Sequence, residues 1–166
     1  PMTDDGTAQG AAWHVLSQQS GFSPQPLHSM CLGPSYPGEA VHRLLELEGI
    51  KFITPSNPAL KVAELLATGA VVAVFQREME FGPRALGNRS ILAQATESDI
   101  NHSLNARLNR TEFMPFAPVS RVEDAEECYL EIARVSHAAE FMTVTVNCTD
   151  SMKTACPAVV HIDGTA

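Results

Sequence analysis

The sequence lacks any apolar run of the roughly 18 residues that a membrane-spanning helix requires. It also lacks a Cys-x-x-Cys pair, because Cys31, Cys128, Cys148 and Cys156 stand far apart. That argues against a zinc ribbon and against a dithiol redox site. The first residues, Pro1-Met2-Thr3-Asp4-Asp5, carry neither a basic region nor an apolar signal core. The expected location is therefore the cytoplasm, where four free thiols are the better reading than disulfides. No internal repeat and no low-complexity tract interrupts the chain. Lysine is missing from the whole stretch between residues 77 and 121.

What is present sets the scale. The chain has 166 residues, of which 45% are hydrophobic, enough for one domain with a core. A net charge of −8 argues against nucleic acid as a partner. Against that acidic background, Arg77, Arg84, Arg89, Arg107, Arg110 and Arg121 are six of the eleven basic residues. Arginine offers a planar fork that grips phosphate or carboxylate with paired hydrogen bonds. The cluster reads either as a local anion site or as surface ion pairing with nearby glutamates.

Local patterns predict alternating helices and strands. Thr3 to Ser20 reads as a helix capped by Thr3 or Asp4 and ended by Gly21. Pro24, Pro26, Pro34 and Pro37, with Gly33, predict an extended linker over 22–37. Glu39 to Glu48 has helical period, with Val41, Leu44 and Leu45 on one face. Asn57 caps the next predicted helix, Pro58 occupies its first position, and Gly69 stops it. Val71-Val72-Ala73-Val74-Phe75 is a continuous apolar run that suits a strand buried on both faces. Lys51 to Thr54, Ser90 to Ala95, Phe116 to Ser120, Phe141 to Asn147 and Ala158 to Ile162 are further strand expectations. Glu97 to Leu108 and Asp124 to Glu131 are helical expectations. The sum is an α/β domain.

The densest chemistry is Glu80-Phe81-Gly82-Pro83-Arg84-Ala85-Leu86-Gly87-Asn88-Arg89-Ser90. Gly82 and Gly87 let the backbone approach a ligand, Pro83 stiffens the turn, and Asn88 and Ser90 add neutral hydrogen-bonding groups. A strand running into such a loop suits a phosphate-bearing ligand, although a tight turn with surface arginines is the plain alternative. The spacing is not that of a Walker loop. His161 and Asp163, two apart, read as a general base with its partner or, more simply, as a structural pair around a Gly-Thr turn. His14 and His42 read as ordinary helix-surface or packing residues, His102 and Asn105 as residues that line the site or, more simply, are solvated, and Glu123, Asp124, Glu126 and Glu127 as a solvated face.

The segment 80–90 resembles the signature of the carbamoyltransferase family that includes the nodulation-factor, cephalosporin-type and tobramycin O-carbamoyltransferases. Arg110-Thr111-Glu112-Phe113-Met114-Pro115-Phe116-Ala117-Pro118, Phe141-Met142 and the stretch Pro157 to Ala166 resemble further motifs of that family, and Leu32-Gly33-Pro34-Ser35-Tyr36 its inter-domain linker. Two places depart from the pattern. Arg77-Glu78 stand where the family has Gly-Arg. Thr111 and Met114 replace Glu and Arg, and Met114 cannot bind phosphate, so either that family contact is lost or Arg107 or Arg121 serves instead. Thr3-Asp4-Asp5-Gly6-Thr7-Ala8 resembles a segment near the end of the family's actin-like (Kae1-like) domain.

The resemblance implies a YrdC-like α/β fold, a twisted open mixed sheet with flanking helices, for residues 38–166, ending short of the domain's own end. It implies that residues 1–21 are the tail of an actin-like domain and 22–37 a linker. The implied activity is ATP-dependent O-carbamoyl transfer, with carbamoyl adenylate formed here from carbamoyl phosphate and ATP and passed to a hydroxyl-bearing acceptor. This piece alone is not expected to complete that reaction. Arg84, Arg89 and Arg110 are the implied catalytic residues. Gly82, Gly87, Asn88, Ser90, His161 and Thr165 are the implied substrate or nucleotide contacts. Mg²⁺ is expected with ATP. Asp4 is implied to ligate a metal, Fe²⁺ or similar, only together with histidines from the preceding domain, and is otherwise a helix cap. A homodimer stays open. The alternatives are a threonylcarbamoyl-adenylate synthase and a non-catalytic nucleotide- or RNA-binding module.

Overall fold

The fold is described here from a computed structural model, which describes residues 4–23, 25–110 and 116–166. Its elements run α1 (Asp4–Ser17), α2 (Gly38–Leu47), α3 (Pro58–Ala67), β1 (Val72–Phe75), β2 (Arg89–Leu92), α4 (Ile100–Arg107), α5 (Ala125–Cys128), α6 (Ser136–Ala139) and α7 (Asp150–Ala155). Short 3₁₀ turns lie at Val122–Asp124, Ile132–Arg134 and Pro157–Val159. The result is a mixed α/β chain in which β1 and β2 form a two-stranded sheet. No helix among the described residues is long and apolar enough to cross a membrane.

The chain divides into two compact units, Pro1–Ser56 with Ala73–Ser90, and Asn57–Val72 with Ile91–Ala166. In the first unit, α1 ends at Ser17, a turn earlier than its sequence suggests, and the chain turns on through Gly21 at φ 89°. Trp13, Val15 and Leu16 on this helix remain exposed. The proline-rich stretch carries no helix or strand among its described residues, and its part from Met30 to Pro34 is hydrogen-bonded to residues 79–81. Met30 O accepts from Phe81 N at 2.7 Å, Met79 O from Gly33 N at 2.9 Å, and Pro34 O from Met79 N at 3.0 Å. Gly33 is obligatory here, since a Cβ would sit 2.9 Å from the Met79 carbonyl oxygen. In α2, an apolar stripe forms as predicted, although no residue of it is fully buried.

The second unit begins with α3, whose start is the one predicted: Asn57 Oδ1 accepts from Leu60 N at 3.1 Å, and Pro58 holds the first position. Its core is small. Cys148 is fully buried, Met152 and Val159 nearly so, and Ala95, Cys128, Tyr129, Cys156 and Val160 pack around them. Thr149 starts α7 by accepting from Met152 N at 3.2 Å while donating to Glu127 O at 2.7 Å. Cys128, Cys148 and Cys156 are free thiols within this apolar cluster, and burial pushes the Cys148 thiol up from its ordinary pKa.

Several strand expectations fail. Residues 51–54, 116–120, 141–147 and 158–162 form no strand. Asn147 makes only an isolated antiparallel bridge to Thr165, flanked by reciprocal 3.0 Å bonds between Val146 and Ala166. Pro118 lacks the N–H a ladder requires, and Pro157 opens a 3₁₀ turn that runs into the last of these segments. β1 is not buried on both faces. Val72 and Val74 are half-buried, while Ala73 and Phe75 are exposed, because a two-stranded ribbon covers only one side. The helix expected over 124–131 contracts to Ala125–Cys128, preceded by a 3₁₀ turn.

Candidate functional site

The connection from β1 to β2 carries the Gly/Arg segment, and its geometry is built by two charged side chains that face the backbone. Glu80 is 6% exposed. Its Oε1 accepts from Leu86 N at 2.8 Å, Asn88 N at 2.7 Å and Arg89 N at 3.2 Å. Burial raises the pKa of this carboxyl, but the N–H groups of Asn88, Glu80 itself, Leu86 and Arg89 outweigh it and hold the group below the usual carboxylate range. Arg89 does the converse. Its Nη1 donates to Gln76 O at 2.6 Å and Asn88 O at 3.1 Å, and its Nη2 to Pro34 O and Arg77 O, both at 3.3 Å. The guanidinium lies 3.7 Å from the Phe75 ring centroid.

The neutral groups of the segment are engaged as well. Asn88 is buried, with Nδ2 donating to Glu78 O at 2.7 Å and to Cys31 Sγ at 3.1 Å. Ser90 Oγ accepts from Gly87 N at 2.9 Å, and Gln76 Nε2 donates to Gly87 O at 3.0 Å. Gly82 and Gly87 adopt φ of 117° and 107°, a region closed to other residues without strain. Arg77 adopts φ 48°, the left-handed region. Arg84 is exposed and, among the described residues, makes no hydrogen bond or ion pair. Of the two loop arginines, Arg84 is the one with its donors unspent.

Other predicted residues are scattered between different local tasks. Arg110 is exposed and its guanidinium sits 5.3 Å from the Phe116 ring centroid. Arg121 pairs with Asp124 through two bonds of 2.6 and 2.9 Å at the surface, which raises the arginine's pKa and lowers the aspartate's. His161 and Asp163 do not bond each other. Asp163 Oδ1 accepts from Thr165 N at 3.0 Å and Thr165 Oγ1 at 2.8 Å, shaping the turn at Gly164, and His161 Nδ1 lies 3.5 Å from Thr165 Oγ1. Thr111 and Met114, and the side chain of Asp4, lie outside the described residues. Among the described residues no group of three or more His, Cys, Asp or Glu side chains could hold a metal.

The second unit holds a cavity of about 400 Å³. Ile91, Ile100, Leu104, Phe116, Met152 and Val159 give it an apolar wall, and Gln94, Asn101 and Ser120 its polar points. Asn101 donates from Nδ2 to Ala158 O at 2.5 Å. Its Oδ1 is buried with no partner among the described residues, an acceptor available to a ligand's N–H. Sequence reasoning did not single out this residue, nor Glu80. For Glu80 a signal existed, an acid opening a Gly-rich segment that has backbone N–H groups to spare. For Asn101 there was none.

These features define an α/β protein with an exposed arginine on a loop stiffened from within, and an apolar cavity with polar points. Residues 63–166 match the family described as "Carbamoyltransferase C-terminus". The chain is 34% identical to the nodulation protein NolO of Bradyrhizobium diazoefficiens, over 98% of this chain and 30% of that protein. It is 36% identical to nodulation protein NolNO of Sinorhizobium fredii, over 98% of this chain and 25% of that protein. It is 40% identical to the 3'-hydroxymethylcephem-O-carbamoyltransferase of Streptomyces clavuligerus, over 63% of this chain and 19% of that enzyme. The chain belongs to the carbamoyltransferase family. It spans less than a third of the length of these relatives.

Proposed function

We propose that this chain serves O-carbamoyl transfer by forming carbamoyl adenylate, for delivery to a hydroxyl-bearing small molecule. In that step carbamoyl phosphate, ATP and water become carbamoyl adenylate, phosphate and pyrophosphate. The observation that carries the proposal is family membership over residues 63–166, supported by a relative whose name specifies O-carbamoyl transfer. The chemistry of the residues supports it further. Carbamoyl phosphate, ATP and pyrophosphate are all anions, and charge builds on phosphoryl oxygens as groups transfer. Arg84 has a free guanidinium to meet such charge, and Arg110 and Arg107 are exposed further along the chain. The cavity in the second unit suits a flat, partly apolar group, and a nucleobase with an exocyclic amine would satisfy Asn101 Oδ1.

The same reading includes a YrdC-like fold for residues 38–166, an actin-like origin for α1, and a cytoplasmic location. The test is pyrophosphate release from ATP by the protein. Release is expected to require carbamoyl phosphate. Release that instead requires threonine and bicarbonate would replace this reading with threonylcarbamoyl-adenylate synthesis, and binding without any release would leave a nucleotide-binding module.

A further inference from the structure

We propose that Glu80 is the positioning residue of the arginine loop, occupying the backbone N–H groups of Leu86, Asn88 and Arg89 so that the loop is preformed and Arg84, of its two arginines, meets the phosphoryl ligand. The role assigned to Arg84 rests on the function proposed above. The placement of Glu80 does not.

Three backbone donors converge on one oxygen, Glu80 Oε1, at 2.8, 2.7 and 3.2 Å. Converging N–H groups in a glycine-bearing loop make an anion nest, of the kind that elsewhere cradles phosphate. Here the nest is filled by the chain's own carboxylate. A phosphoryl group approaching this loop therefore finds these three N–H groups already taken. Arg89 is spent on the carbonyls of Gln76, Arg77, Asn88 and Pro34, and Asn88 on Glu78 and Cys31. Arg84 remains.

The arrangement also solves an electrostatic problem. A glutamate four residues from an arginine on a flexible loop would pair with it and cancel the charge that the ligand needs. Among the described residues Glu80 makes no ion pair. Its charge is balanced by N–H dipoles instead, and it sits buried at 6% exposure. The loop thus contains a carboxylate that stiffens it without quenching its free arginine.

The experiment compares the protein with its Glu80→Gln and Glu80→Ala variants. Backbone amide exchange at Leu86, Asn88 and Arg89 is followed without ligand, melting is recorded, and kcat and KM for carbamoyl phosphate are taken from pyrophosphate release. Removing the acceptor is expected to speed exchange at those three amides at least tenfold and to lower kcat/KM at least tenfold at temperatures where the variant stays folded. Glutamine can place an amide oxygen where Oε1 stands and is expected to restore most of both, a rescue that loss of bulk stability would not produce. If Glu80→Ala does not fold, Glu80→Gln decides alone, with intermediate values expected for both readouts. Unchanged exchange at the three amides overturns the proposal. So does released exchange with wild-type kcat/KM. If the wild-type protein releases no pyrophosphate, the adenylate reading fails, and exchange still determines whether Glu80 holds the loop.

Discussion

The segment 76–90 and the cluster around Cys148 solve the same problem with opposite materials. The first has almost no apolar interior. It is shaped by a carboxylate binding backbone N–H groups, a guanidinium binding backbone carbonyls, and an amide bridging two further groups. The second is held by Cys148, Met152 and Val159, with a few side-chain hydrogen bonds around them, at the Thr149 cap, the turn at Gly164, Tyr129 and Asn101. Apolar packing is non-directional, so a core tolerates shape-conserving changes. Hydrogen bonds to charged groups are directional and specify one backbone path. A loop that must present one arginine in one place gains from the second kind of glue.

The largest expected effect on stability tests the apolar half. Met152→Ala removes a nearly buried side chain from a small core and is expected to cost about 2–4 kcal/mol, read as a lower melting temperature. Because Met152 also borders the existing cavity, the value should fall toward the lower end of that range. A cost below about 0.5 kcal/mol would show that this cluster is not what holds the second unit together.

The two arginines sharpen the polar half. Arg84→Lys keeps charge but loses the planar fork, and is expected to slow pyrophosphate release roughly a hundredfold, about 2.7 kcal/mol, with melting unchanged. Arg89→Lys loses several backbone bonds and the stacking on Phe75, and is expected to cost about 1–2 kcal/mol of stability. Identical kinetic and melting profiles for the two lysine variants would erase the distinction between them.

Parts of this contrast were legible in the sequence. Asn57 and Pro58 announced the start of α3, and the β1 run announced a strand, because caps and apolar runs are local signals. The segment 80–90 announced itself by composition. Its division of labour did not, since nothing in the residue order says that Arg89 turns inward while Arg84 stays out. The missing strands at 116–120, 141–147 and 158–162 have a related cause. Alternation reports which side chains are apolar, but a strand also needs a partner of matching register, which the pattern cannot supply.

The loop's dependence on a charged acceptor predicts a pH response. The Glu80 carboxyl is depressed below the ordinary glutamate value of about 4.3. Its contribution to stability is therefore fully present above that value and is lost as pH falls through the lower, folded-state value. Amide exchange at Leu86 and Asn88, corrected for its intrinsic pH dependence, is expected to stay protected from neutrality down to about pH 4.3 and to lose protection below it. In the cluster around Cys148, Asp163 accepts from Thr165 N in a comparable way, so the contrast is read at amides away from that turn, such as Met152, which should lose protection only with global unfolding. Simultaneous loss in both regions would mean that acid acts on the whole fold.

The smallest effect concerns Arg77, which sits at φ 48° where only glycine is free of strain. The left-handed conformation costs an ordinary residue roughly 1–2 kcal/mol. Replacing it with glycine removes that cost but raises the entropy of the unfolded chain, a penalty of about 0.4–1 kcal/mol. The backbone carbonyl of residue 77 still accepts from Arg89, so the loop's bonding is unchanged. Arg77→Gly is therefore expected to stabilise the protein by up to about 1 kcal/mol, a small rise in melting temperature, without altering pyrophosphate release. Falling activity in this variant would give the Arg77 side chain a ligand contact and add a second arginine to Arg84. Falling stability would mean that the side chain contributes more to the loop than its backbone strain costs, and the polar glue of this region would then extend one residue further than the bonds to Glu80 and Arg89.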